Sequence, residues 1–185
     1  TAAHCTGLEG AKRAILAGVR SIEHIPMDEE IASLMKEHNC FYVPTIVTRY
    51  NILHTEDPQY AHMREKAKPE DLDKKKAAIE RCLRFDIPIC AGTDAIGGRN
   101  YKKGLTILGE SLLTELMIYH EYGMSCEEVL ASATSTAAKM LGIDHESGSL
   151  EIGKRADLNL VFGKPDEDLS ALTNHILTVC NGEIF

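Results

Sequence analysis

The chain contains no tryptophan, and aromatic residues make up only 5% of it. No apolar run approaches the roughly 18–20 uncharged residues of a membrane-spanning helix, so no membrane partner is expected. Low-complexity tracts are missing as well, which excludes disorder of the whole chain. There is no excess of positive charge: 20 Lys and Arg stand against 28 Asp and Glu, for a net charge of −8. A chain of that balance does not hold a polyanion through general electrostatics, so no nucleic-acid partner is expected. The densest basic run, Lys74-Lys75-Lys76, is interleaved with Glu70, Asp71, Asp73 and Glu80. It reads as a solvated helix face. The six cysteines form no Cys-x-x-Cys pair, which argues against a zinc–thiolate or thioredoxin-type site. Cys40 and Cys90 lie in or beside apolar runs, as buried free thiols do in a reducing compartment. A cytoplasmic location follows as the expectation.

What is present alternates between strand and helix. With 185 residues, 44% of them hydrophobic, the chain has enough apolar content for a core. Thr1–His4 reads as the end of a strand, followed by a helix with Leu8, Ala11, Ala14 and Ile15 on one face. Val19–Glu23 is a short strand ending at His24. Asp28 caps a helix with Ile31, Leu34 and Met35, and Phe41–Ile46 is the next strand. A polar segment from Thr48 to Lys68 is too long for an ordinary connection, and such segments are functional or contain helix. Pro69 opens a helix bearing Leu72, Ile79, Cys82 and Leu83. Ile87–Ala91 is a fully apolar strand of the kind found in parallel sheets covered on both faces. After a glycine-bearing loop, Gly97-Gly98-Arg99-Asn100, a helix runs from Ile107 to Tyr122 with Leu108, Leu112, Leu116 and Tyr119 as its stripe. Ser125–Glu128 is a capping box opening a helix that reaches Gly142. Beyond Gly148, Leu150–Ile152 and Leu158–Phe162 read as strands, and Asn181-Gly182 as the type I′ turn of a hairpin. Residues 1–145 therefore form repeated βα units, and residues 146–185 a small β-rich segment. Four strand–helix steps without closure point to part of a larger sheet or barrel. The opening Thr1-Ala2-Ala3-His4, inside a strand and without Met, suggests a piece of a longer protein.

His4, His24 and Asp94 each directly follow a strand. In an α/β barrel, residues at the C-terminal ends of neighbouring strands converge on the face where active sites are built. Two imidazoles and a carboxylate suit a divalent metal, and a carboxylate beside a water is placed to move its proton. Each also has an ordinary role open to it: a strand-end His can be exposed, and Asp94 in Gly-Thr-Asp-Ala can cap a turn.

These segments resemble the metal-dependent amidohydrolase superfamily, in its imidazolonepropionase-like and Xaa-Pro dipeptidase (prolidase)-like branch. Thr1-Ala2-Ala3-His4-Cys5-Thr6-Gly7 looks like the fifth-strand metal-histidine motif. Gly18–His24 resembles the sixth-strand motif, Val43-Pro44-Thr45 the seventh strand, and Ala91-Gly92-Thr93-Asp94-Ala95 the eighth-strand G-T-D-A. Ala133-Thr134 to Gly142 looks like the family's A-T-x-x-A-A helix, and Gly148–Leu158 like its return into a small β-sandwich. The resemblance implies an α/β fold: the C-terminal half, strands five to eight, of a (β/α)8 TIM-type barrel, with strands of a small β-sandwich domain. It implies that His4, His24 and Asp94 bind metal, with zinc as one or two divalent ions. Asp94 would be the general acid/base, and His24 would assist at the oxyanion. The activity implied is hydrolysis of a carbon–nitrogen bond in a small amide, cyclic amide or dipeptide by metal-activated water. Arg49 and Tyr50, just past Thr45, are candidates for binding substrate. The full-length protein is expected to be a homo-oligomer. The pattern is broken in three places: Thr6 replaces a second histidine, Ile96–Gly104 lacks a His-Gly pair, and the family's first-strand H-x-H and fourth-strand lysine have no counterpart. The alternative is therefore a catalytically incompetent half-barrel that needs an N-terminal partner.

Overall fold

The computed structural model describes residues 1–95 and 105–185. The glycine-bearing loop and the missing His-Gly pair, both within 96–104, lie outside the described residues. The chain begins β1 (Ala2–His4), α1 (Leu8–Leu16), β2 (Ser21–Glu23), α2 (Glu29–Glu37) and β3 (Phe41–Val43). The three strands form a parallel sheet in the order β1-β2-β3, with His4 opposite Glu23 and Glu23 opposite Val43. Parallel neighbours need helical crossovers, and α1 and α2 supply them. Ala11 and Ile15 of α1 and Ile31 and Met35 of α2 are buried in one core with Ile22 and Tyr42 of the sheet. Leu8, expected on the buried face, is 41% exposed. The Asp28 carboxylate accepts from Ile31 N at 2.9 Å, which caps α2 as expected.

β3 stops at Val43 rather than Ile46. Pro44 has no N–H to give the ladder. Thr45 then takes a left-handed conformation (φ 51°) that turns the chain into α3 (Ile46–His54). The expected polar segment is thus largely helical: α3, a 3₁₀ turn at Pro58–Tyr60 and α4 (Ala61–Arg64). α5 (Glu70–Phe85) follows, burying Ala78, Ile79 and Cys82 against the core.

The expected strand Ile87–Ala91 shrinks to a single parallel bridge between Ile89 and Tyr42. Tyr42 N donates to Pro88 O (2.9 Å) and Cys90 N to Tyr42 O (2.8 Å). The ladder ends there because Pro88 has no donor and Ala91 N donates to Ser132 O instead. The described residues therefore contain two three-stranded sheets and no closed barrel.

α6 (Glu110–Glu121) buries Glu115, Leu116, Ile118 and Tyr119, whereas Leu108 and Leu112 of the expected stripe are exposed. The helix expected from Ser125 to Gly142 is two, α7 (Cys126–Ala133) and α8 (Ser135–Leu141), broken at Thr134 (φ −129°, ψ −96°). The capping box of α7 is complete, with Ser125 Oγ accepting from Glu128 N and Glu128 accepting from Ser125 N. Ser125→Ala is expected to lower stability by about 1 kcal/mol, read as a shift in urea midpoint at unchanged slope.

Leu150–Ile152 is not a strand. No strand of the described residues lies beside it, and Leu150 and Ile152 are exposed. β4 (Leu158–Val161), β5 (His175–Cys180) and β6 (Glu183–Ile184) form the second, antiparallel sheet. Asn181 and Gly182 both have positive φ (50° and 85°), as a type I′ turn requires. Five of the six thiols are buried and all are free, with Cys180 exposed. Burial pushes Cys90 up to about 12, so it is inert as a nucleophile near neutrality. No helix of the described residues is long and apolar enough to cross a membrane.

Candidate functional site

The C-terminal ends of the parallel strands meet at one place. His4 closes β1, His24 follows β2, Thr45 follows β3 and Asp94 follows the Ile89 bridge. Three of these four have left-handed backbones: His24 (φ 72°), Thr45 (φ 51°) and Asp94 (φ 50°). The other non-glycine cases, Asn39, Asp86 and Asn181, are residue types that tolerate that region in turns. For His and β-branched Thr it is costly, about 1–3 kcal/mol each. Strain repeated at neighbouring strand ends marks a place where side chains are held for a purpose other than folding.

The imidazoles of His4 and His24 stand in edge contact, with ring centroids 4.5 Å apart and planes at 61°. A cleft of about 360 Å³ opens beside them, lined by His24, Thr45, Arg49, Asp71, Lys75 and Asp94 among others. Of the candidates, His24, Asp94 and Arg49 line this cleft, and His4 joins them only through its contact with His24. The Arg49 guanidinium also faces the Asp71 carboxylate at 3.7 Å. Tyr50 does not line the cleft, and its ring stacks on His54 at 4.2 Å.

His24 is half-buried, and this desolvation holds its pKa below 6.5. The Asp94 charge pulls the other way, while the positive charges of His4 and Lys75 add to the lowering. The ring is thus neutral at pH 7. A depressed folded pKa makes a stabilising contribution present above 6.5 and lost as pH falls through the folded value. Denaturant melts are expected to show a loss of stability on acidification below about pH 6.5, and His24→Gln to lessen that slope. An unchanged slope in the variant would contradict the assignment.

Several residues of this site escaped sequence reasoning. Glu23 sits in register with His4, and burial raises its carboxyl pKa against the pull of the Ser21 hydroxyl at 2.7 Å. Lys75 corrects the expectation of a solvated face. Its ammonium is buried and donates to Pro44 O at 2.6 Å and to His24 O, and burial pushes it down to about 8. Glu115, on α6, is completely buried. It accepts from Ile46 N at 2.8 Å and Val47 N at 2.5 Å. Burial pushes its carboxyl up to about 7 against those donors. The only sequence signal for Glu115 was a carboxylate one residue before Leu116 on an otherwise apolar stripe.

Two imidazoles and a carboxylate are donors of the right kind for a divalent cation. They do not by themselves close a site: among the described residues, no three His, Cys, Asp or Glu side chains converge as a group able to hold a metal ion.

The whole chain, residues 1–185, matches the model of the amidohydrolase family. It is similar to the crystal structure of a Xaa-Pro dipeptidase with methionine bound in the active site (TM-score 0.83, 34% identity). That match covers 100% of this chain and 44% of the other. The ochratoxinase of Aspergillus niger is 29% identical over 170 residues, 90% of this chain and 33% of that protein. The imidazolonepropionase of Syntrophobacter fumaroxidans is 31% identical over 99 residues, 50% of this chain and 20% of that protein. The chain thus spans less than half the length of these relatives. A family model that matches the chain from end to end shows the family: the chain belongs to the amidohydrolase family.

Proposed function

We propose that this chain supplies the C-terminal half of the active site of a hydrolase that cleaves the carbon–nitrogen bond of a small amide, cyclic amide or dipeptide. In this reading β1, β2, β3 and the Ile89 bridge are strands five to eight of a (β/α)8 barrel. Residues 1–145 are its barrel part, and residues 146–185 belong to a small β-sandwich. The observation that carries it is the contact of the His4 and His24 rings at adjacent strand ends, with His24 and Asp94 lining one cleft. His4, His24 and Asp94 would hold one or two divalent cations together with donors from the rest of the protein, zinc being one that imidazole donors suit. Bound there, such an ion acidifies a water and polarises a carbonyl.

Asp94 takes a proton from the attacking water and delivers it to the departing nitrogen. His24, neutral at pH 7, faces the carbonyl oxygen as charge develops. Arg49, in the cleft wall, pairs with a substrate carboxylate, where a planar guanidinium binds in a bidentate manner. The amino acid bound in the active site of the similar Xaa-Pro dipeptidase supports a ligand of this class. Five buried free thiols support a reducing, cytoplasmic location. The full-length protein is taken to be a homo-oligomer.

The incomplete donor set favours a second statement about the isolated chain: alone, it is catalytically incompetent and needs an N-terminal partner. The test is a panel of Xaa-Pro dipeptides and N-acyl amino acids, offered with zinc to the full-length protein and to the 185-residue chain. The full-length protein is expected to release amine in a chelator-sensitive manner, and the short chain to release none. No cleavage of any panel member by the metal-loaded full-length protein would sink the hydrolase reading. Turnover by the short chain would sink the need for a partner.

A further inference from the structure

The start of α3 is built in an unusual way. A helix leaves its first N–H groups without intrahelical acceptors, and the residue before the helix, when it is Thr, ordinarily accepts from one of them. Thr45 stands at that position and makes no such bond. The acceptor comes instead from 69 and 68 positions further along the chain, on α6: the fully buried Glu115 takes both Ile46 N and Val47 N. With its capping duty taken over, the Thr45 side chain is free to face the strand end beside it. Its Oγ1 lies 2.5 Å from His24 Nδ1.

The direction of that bond follows from counting protons. The Thr45 hydroxyl has one, and it is donated to Pro44 O at 2.8 Å. With that proton directed to Pro44 O, the oxygen accepts from His24, which places the proton of the neutral imidazole at Nδ1. Nε2 is left with its lone pair, the atom a cation or an electrophile needs.

We propose that Glu115 is a positioning residue for His24: by capping α3 in place of Thr45, it frees the Thr45 hydroxyl to hold the imidazole as the Nδ1–H tautomer with Nε2 as the available donor. The proposal rests on the reading of His24 as a site residue. Without Glu115, the Thr45 hydroxyl turns back to cap its own helix and the imidazole loses its partner.

The test is heteronuclear NMR of the His24 ring nitrogens in the metal-free full-length protein at mildly alkaline pH. The wild type is expected to show a single Nδ1-protonated tautomer. Thr45→Val and Glu115→Ala are each expected to lose it in favour of mixed tautomers, and the double variant to lose no more than either single one. Glu115→Gln, with one acceptor oxygen in place of a carboxylate, is expected to lie between. It decides the matter if Glu115→Ala does not fold. In the zinc-loaded enzyme Glu115→Gln is expected to lower kcat by about 10–100-fold with KM little changed. A wild-type tautomer retained in Thr45→Val, or in the Glu115 variants, overturns the proposal. Because the NMR signal needs no turnover, an inactive wild type would refute the hydrolase reading alone and leave this result standing or falling by itself.

Discussion

Asp94→Asn in the full-length protein is expected to lower kcat by about a hundred- to ten-thousandfold, the usual contribution of a positioned general acid/base. Asn removes the proton acceptor and the anionic metal donor together, and changes little in the fold. Asp94 has a left-handed backbone (φ 50°), and Asn is among the few residues that adopt it at small cost. Size and shape are kept, but an amide takes no proton from water. The melting temperature and circular dichroism of the variant should therefore match the wild type while turnover collapses. Asp94→Ala is the poorer probe, since it adds backbone strain to the loss of the carboxylate. Turnover undiminished in Asp94→Asn would remove Asp94 from the chemistry.

Gly148→Ala is expected to be the most destabilising single methyl addition, at about 2–5 kcal/mol. Two effects add. The backbone there has φ +93°, where an L side chain costs about 1–2 kcal/mol. A Cβ would also stand 2.4 Å from Ala138 Cβ and 3.0 Å from Thr134 O. Overpacking against a helix start that cannot swing aside costs about 1–3 kcal/mol more. Gly153→Ala is the control: its φ is +94°, but nothing lies within 4 Å of the added methyl. It is expected to show the conformational part alone. Equal losses in the two variants, read from denaturant midpoints, would show that the close approach at Gly148 contributes nothing.

The contrast between these two glycines shows how far local reasoning reached. Both belong to the motif from Gly148 to Leu158, and sequence alone treats them alike. Only the packing of α8 against Gly148 separates them. The capping box at Ser125, the Asp28 cap and the Asn181-Gly182 turn were legible because each is made by residues within a few positions of one another. Ile87–Ala91 and Leu150–Ile152 were not, because a strand needs a neighbour with free donors and acceptors, and apolar character says nothing about whether one is there.

The same division runs through the site. His4, His24 and Asp94 stand out as candidates in the sequence alone, since the end of each strand is a local signal and parallel strands bring their C-terminal ends to one face. The family was legible for the same reason. What only the tertiary structure decided is how those side chains are held. Lys75 lay in a charged run that reads as solvated, yet its ammonium is buried on the carbonyls of His24 and Pro44. Thr45 makes no cap bond to its own helix and lies against His24, while a carboxylate from a distant helix takes the first N–H groups of α3. A buried charge and a backbone N–H find each other through space. Their pairing depends on which surfaces the core brings together, and no periodicity along the chain records that.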